Sequence, residues 1–310
     1  MVVESNISNS KVIIFGGSGF IGSGLVKALL NANCEVTSVS KSTAKEDISN
    51  NLFKSIKHNF DTGPCDQIKD RSYDFIINCS GYIDHSDFTL NGRNIINNHF
   101  LGLMHIVETI KDIKFKKFLH IGSSDEYGQN IEPQVEYQRE NPFTPYSFAK
   151  TASTHFLQML HRNIEFPSIV VRPFLVYGPE QKNNRFIPYV IENCLKNNDF
   201  QVSAGNQMKD FLYIDDFIEA VFCSLESDNS LNGSIFNIGS GNPVSIMSVV
   251  GVIQRICNGG IPVFGSKLIP KKENQNLYAD INLAKSSLNW APKINLEEGL
   301  LKVIHHIKNL

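Results

Sequence analysis

Tyr146 and Lys150 stand four residues apart at the head of a segment opened by Pro145. On a helix that spacing puts both side chains on one face. A free phenol titrates near ~10, too high to pass protons readily at neutral pH. An ammonium held beside it stabilises the phenolate and lowers that value. Such a pair can give a proton to a carbonyl oxygen or take one from an alcohol. Ser123 adds a hydroxyl that can hydrogen-bond the same oxygen and hold it. It follows an apolar run at 118–121, within Gly122-Ser123-Ser124-Asp125-Glu126-Tyr127-Gly128. A Tyr-x-x-x-Lys pair alone is common on protein surfaces. It gains meaning only if a strand end carries Ser123 to the same place.

The elements that would do this start at residue 11. Residues 12–15 form a short apolar run with β-branched residues, as in a buried parallel strand. Gly16, Gly19 and Gly22 follow, then Val26, Leu29 and Leu30 at helical spacing. Strand, glycine turn and helix together predict a dinucleotide site. Gly16 permits the turn, Gly19 lets the backbone approach a pyrophosphate, and Gly22 lets the helix pack closely. The helix N-terminus offers free N–H groups to the phosphates. A hydride would come from the cofactor, with the protein supplying orientation and electrostatics.

Further strands are predicted at 35–39, 56–60, 73–79, 118–121 and 169–171, with helices over 94–111 and from 145 to about 161. The alternation implies a parallel, doubly wound α/β sheet. In such sheets the strand C-termini face the ligand crevice. The second strand ends in Ser40-Lys41-Ser42, with no carboxylate to bind a ribose 2′-hydroxyl and a cation able to hold a 2′-phosphate. This favours NADP (NADPH) over NAD. Asp61 closes the third strand near an adenine position, and Cys79-Ser80-Gly81 closes the fourth with small residues. Beyond Pro179 the segments shorten. Helices are expected at 187–195, 217–225, 249–256 and 296–307, and strands at 200–203 and 235–238, in a second part that walls a cleft. The organisation read from this is a dinucleotide-binding domain over 1–178, with a return at about 210–240, and a substrate domain over 179–310.

Composition narrows the partners. With 29 Lys and Arg against 31 Asp and Glu, the net charge is −2 and no basic run is present. Nothing here attracts nucleic acid or an acidic membrane surface. No apolar run is long enough to span a bilayer. The six cysteines form no Cys-x-x-Cys pair and no Cys/His set with metal spacing. The expectation is a reduced, cytoplasmic, metal-free protein.

Taken together, the chain resembles an extended short-chain dehydrogenase/reductase of the nucleotide-sugar epimerase, dehydratase and reductase group. The resemblance covers nearly the whole chain. It rests on the Gly16/Gly19/Gly22 turn, Ser123 ahead of Tyr127-Gly128 and the Tyr146/Lys150 pair. Arg172-Pro173-Phe174 with Tyr177-Gly178-Pro179, the run 209–214, Asp280 and Trp290-Ala291-Pro292 add to it. It implies a Rossmann domain, a smaller domain gripping a nucleoside-diphosphate sugar, and a homodimer. It implies catalysis by Ser123, Tyr146 and Lys150. Cofactor contacts would come from Gly16, Gly19, Phe20, Ile21, Gly22, Ser40, Lys41, Ser42, Asp61, Cys79, Ser80, Gly81, Tyr146, Lys150 and Pro173. Sugar-nucleotide contacts would come from Ser124, Asp125, Leu175, Arg185, Lys209 and Lys272. Leu175 stands where the family often has asparagine, and Lys209 where arginine is usual. The family's asparagine ahead of the site falls near Asn98 or His99, where a histidine reads as structural.

Dehydratases of the group place an Asp-Glu pair directly after the catalytic hydroxyl residue. Here Ser124 precedes Asp125, so dehydration is disfavoured. The reading expected from sequence is NADPH-dependent reduction of the 4-keto group of a nucleotide-linked 4-keto-6-deoxyhexose, in deoxysugar synthesis for surface polysaccharide. The alternatives are an NAD-dependent nucleotide-sugar 4-epimerase or dehydratase, and a non-enzymatic NADP-binding sensor or scaffold.

Overall fold

Both faces of the first strand are buried, which explains why residues 12–15 carry no polar alternation. The computed structural model describes residues 7–42, 50–267 and 274–309. Strands β1 (Lys11–Phe15), β2 (Glu35–Ser40), β3 (Phe53–Lys57), β4 (Phe75–Asn78), β5 (Lys117–Ile121) and β6 (Ser168–Pro173) come first, with helices after β1, β4 and β5. These helices are α1 (Phe20–Asn31), a stretch containing α2 (Arg93–Ile96) and α3 (Gly102–Ile110), and α4 (Pro145–Ile164). Then come β7 (Leu175–Tyr177), α5 (Phe186–Leu195), β8 (Asp199–Val202), β9 (Met208–Lys209), β10 (Phe211–Tyr213), α6 (Ile214–Glu226) and β11 (Ile235–Ile238). The chain ends with β12 (Val244–Ser245), α7 (Ile246–Cys257), β13 (Ile261–Phe264), β14 (Asn276–Leu277), α8 (Asn282–Leu288) and α9 (Leu296–Lys308).

Seven strands form one sheet in the order β3-β2-β1-β4-β5-β6-β11, every pair parallel. This is a Rossmann-type α/β fold, with strand order reversing between β1 and β4. Val12 and Ile14 join one core with Leu25 and Leu29 of α1 and Phe217 and Val221 of α6. Ile13 and Phe15 join the opposite core with Leu103 and Ile106 of α3 and Leu157 of α4. A third core gathers α5, α7 and α9 around Phe200, Phe211 and Tyr213.

Two elements depart from the sequence expectation. The third strand spans Phe53–Lys57, not 56–60, pairing Val36 with Phe53 through Ser40 with Lys57. It is the sheet's edge strand and buries fully only Ile56, so an apolar run was the wrong signal for it. The His58 N–H still donates to the Ser40 carbonyl at 2.9 Å, after which the chain leaves the sheet and Phe60 packs edge-on against Phe15 at 5.2 Å. The helix expected over 94–111 starts earlier, and widens into π turns at Phe88–Gly92 and Asn97–Leu101. Such widened turns re-aim side chains and concentrate at functional sites.

Helix α4 has a complete start signal. Thr144 caps the Ser147 N–H, Ser147 answers back, and Pro145 takes the first position. The C-terminal tail is anchored by Trp290, which is 2% exposed and donates its indole N–H to the Asp216 carbonyl at 3.0 Å. Among the described residues no helix is long and apolar enough to cross a membrane. Trp290→Ala leaves a large void beneath α6 and removes this bond. It is expected to lower stability by roughly 3–5 kcal/mol in urea unfolding, with Trp290→Phe losing less.

Candidate active site

The cradle at the end of β1 is made by missing side chains. Gly16 has φ +90°, and a Cβ there would lie 2.7 Å from the Cys79 carbonyl oxygen and the Ser80 backbone. A Cβ on Gly22 would lie 2.2 Å from the Gly16 carbonyl oxygen, so α1 sits directly on the turn. Gly19 caps α1 with no side chain, and the first turn holds no acidic residue. The leading N–H groups and the positive helix end are left for an anion. Phe20 and Ile21 turn their side chains into the third and first cores, so they offer backbone amides. This arrangement fits the pyrophosphate of a dinucleotide.

The end of β2 is organised by hydroxyls. Ser40 is buried and accepts from the Ser18 N–H at 3.2 Å, and the Ser18 and Ser42 hydroxyls lie 3.1 Å apart. Lys41, expected to hold a 2′-phosphate, instead pairs with Asp61 at 2.7 Å and also donates to the Asn98 side chain. A partly exposed pair stabilises the fold little. Its carboxylate, however, opposes a second anion at that lysine. At the end of β4 the half-buried Cys79 thiol donates to the Phe15 carbonyl at 3.2 Å, and desolvation pushes its pKa up to about 12. The Ser80 hydroxyl donates to Asn78 at 2.6 Å. A Cβ on Gly81 would meet the His99 ring at 2.3 Å, so that glycine makes room for an imidazole.

The structure places the three groups read from the sequence after β5 and on the first turns of α4. Ser123 follows β5, Tyr146 is the second residue of α4, and Lys150 lies one turn on. All three are buried. The Ser123 hydroxyl accepts from the Asp125 N–H at 3.1 Å and is near enough to the Tyr146 phenol to favour its ionised form. The Lys150 ammonium donates to the Ile121 carbonyl at 2.7 Å. The phenol is not acidified here. Burial raises its pKa first, and nearby Asp125 and Glu126 add to that against Ser123 and Arg185. Burial also lowers Lys150 to about 8, with Glu126 and Cys79 resisting. In this state Tyr146 is a protonated donor.

Several groups around them were missed or discounted in the sequence. His99 lies in the second π turn, its ring edge-on to Tyr146 at 5.1 Å and its Nε2 2.8 Å from the Tyr82 carbonyl. Burial, then Lys150, lowers its pKa to about 3, so the ring is neutral. His85 approaches Tyr146 from the exposed side at 5.5 Å and Asp125 at 3.8 Å. Glu126 is wholly buried. Its carboxylate accepts from the Ser123 N–H at 2.8 Å, the Thr154 hydroxyl at 2.8 Å and Arg172 Nε at 2.9 Å. Arg172 also reaches Glu140 at 2.6 Å and lies over the Tyr127 ring at 4.6 Å. One signal for Glu126 was legible: Ser123-x-x-Glu126 is a capping box.

The predicted sugar-nucleotide residues fall apart. Asp125 and Arg185, at the head of α5, both act on the Tyr146 phenol. Ser124 is buried and Leu175 of β7 packs against the third core, while Pro173, read as a cofactor contact, ends β6 half-buried. Lys209 is buried in β9 and donates to the Asn274 carbonyl. Lys272 lies outside the described residues. Among the described residues no His/Cys/Asp/Glu group could hold a metal ion. Gly22→Val drives a side chain into the Gly16 carbonyl. It is expected to weaken nicotinamide dinucleotide binding at least ~100-fold by calorimetry.

Known proteins of similar sequence and fold exist. The chain is 28% identical over 271 residues to a dTDP-D-glucose 4,6-dehydratase of Dictyostelium discoideum, covering 79% of this chain and 62% of that protein. It is 29% identical over 224 residues to a UDP-glucuronate 4-epimerase of Thermodesulfobacterium geofontis, covering 69% and 66%. The matched stretches thus span less than two thirds of either relative. The crystal structure of the UDP-glucuronic acid 4-epimerase from Bacillus cereus, in complex with UDP-glucuronic acid and NAD, is 26% identical. It superposes with a TM-score of 0.86 over 96% of this chain and 99% of that one. Residues 12–239 match one family model, and the chain belongs to the NAD dependent epimerase/dehydratase family.

Proposed function

We propose that this protein is an NAD-dependent nucleotide-sugar 4-epimerase. The state of the carboxylates carries the reading. Elimination of water needs an acid and a base beside the sugar. Ser124 occupies the first position after Ser123, and Glu126 is locked onto Arg172. Only Asp125 of that run acts on the phenol without being buried. What remains is a proton donor and acceptor, Tyr146, with Ser123 holding one oxygen. That set suits reversible oxidation of an alcohol and re-reduction of the ketone on its other face. When bound, the nicotinamide accepts and returns the hydride. For this Tyr146 must first pass its own proton to solvent; as phenolate it takes the substrate hydroxyl proton, and it gives that proton back on re-reduction. Lys150 supplies a buried positive charge on the same helix face. The Lys41–Asp61 pair supports NAD, as does the NAD in the Bacillus cereus epimerase.

A second reading, reduction of a 4-keto-6-deoxy sugar nucleotide with NADPH, draws on one observation. Ser40, Lys41 and Ser42 end β2 without a carboxylate. One assay separates the two. UDP-glucose, UDP-glucuronate and dTDP-glucose are incubated with protein and NAD, and the sugars are resolved by chromatography. A 4-epimer without net absorbance change at the reduced-nicotinamide band is expected. Net NADPH loss with a 4-keto sugar supports the second reading, and a dehydrated product overturns the first.

Tyr146→Phe is expected to cut turnover by at least ~100-fold while leaving NAD affinity within about twofold. Turnover should fall as pH rises through about 8, where Lys150 loses its proton. A Lys150→Arg variant, whose guanidinium stays charged, should lose that limb in a pH–rate profile.

A further inference from the structure

We infer that Glu126 is a positioning residue that sets the distance between the two reacting hydroxyls, and that Arg172 holds it to that task. The kinetic half of this inference rests on the epimerase reading above. The carboxylate is pinned from three elements. Its Oε1 takes the Ser123 N–H after β5, at 2.8 Å. Its Oε2 takes the Thr154 hydroxyl from α4, at 2.8 Å, and Arg172 from β6, at 2.9 Å from Nε and 2.7 Å from Nη2. Helix α4 also carries Tyr146 and Lys150, and Thr154 lies one turn beyond Lys150. One carboxylate therefore ties the Ser123 backbone to the helix that presents the phenol. Room is made for it: a Cβ on Gly122 would lie 2.5 Å from Oε1. Arg172 extends the same tie to Glu140, in the loop that leads into α4.

Capping a four-residue turn does not require a buried charge, since a glutamine can close a capping box. A charge taken wholly out of water, paired with a guanidinium that is itself wholly buried, is costly. It gives stiffness between elements that an uncharged cap would leave free to shift. Catalytic hydroxyls displaced by ~1 Å lose rate on the order of 100-fold.

The test is a double-mutant cycle with Glu126→Gln and Ser123→Ala, read in steady-state kinetics of sugar epimerisation. Glu126→Gln is expected to lower kcat by about tenfold or more, with KM and NAD affinity within about twofold. In the Ser123→Ala background the same change should alter kcat by less than about twofold. Equal fractional losses in both backgrounds overturn the inference. Should Glu126→Gln fail to fold, judged by lost NAD binding, Thr154→Val takes its place under the same criterion. A parent protein inert toward every nucleotide sugar defeats the epimerase reading instead. Hydrogen exchange of the 122–128 amides then decides: unchanged protection in the variant overturns the positioning role, and lost protection supports it.

Discussion

Arg172 carries a charge that meets no solvent, and two carboxylates are arranged to meet it. Glu126 lies on one side and Glu140 on the other, with the Tyr127 ring beneath the guanidinium. The Tyr127 hydroxyl in turn donates to Asn237 of β11 at 2.7 Å. The interaction therefore joins the ends of β5, β6 and β11 to α4 and the loop before it. Losing one partner would strand a buried charge, a change that typically costs roughly 3–5 kcal/mol. The arrangement offers rigidity at the strand ends more than net stability. Rigidity is what a site requires when one hydroxyl follows β5 and a phenol and an amine stand on α4.

Burial governs the electrostatics of that site. The simple picture of an amine acidifying a phenol treats both groups as though they faced water. Here both are enclosed, so each is pushed toward its neutral form. Nearby Asp125 and Glu126 push the phenol the same way. The same enclosure keeps His99 uncharged beside Tyr146. The pocket thus favours protonated tyrosine.

Strong local chemistry was legible in the sequence. The glycines after β1, the capped start of α4 and the apolar strands all follow from backbone sterics, capping and burial. Ser123, Tyr146 and Lys150 could be brought together on paper because strand C-termini share one edge. Edge strand β3 was misplaced because its pairing needs little apolar content. Lys41 and Lys209 looked available as cations, yet each is engaged by groups distant in sequence, Asp61 and Asn274. Nothing local announces such partners. His99 was discounted because its meaning comes from a widened helical turn and from the space left by Gly81. These pairings are non-local, so sequence spacing could not show them.

The last strand of the main sheet, β11, enters only after the chain has built β7 to β10 and α5 and α6. A nascent chain emerging from the ribosome would hold six parallel strands with the outer side of β6 unpaired until residue 238 appears. An open parallel edge of that kind is sticky. Cutting the gene near residue 178 would leave it permanently bare, since the seventh strand of the sheet comes from residues 235–238. A circular permutation that keeps β6 and β11 on one fragment respects the wiring better than any simple truncation.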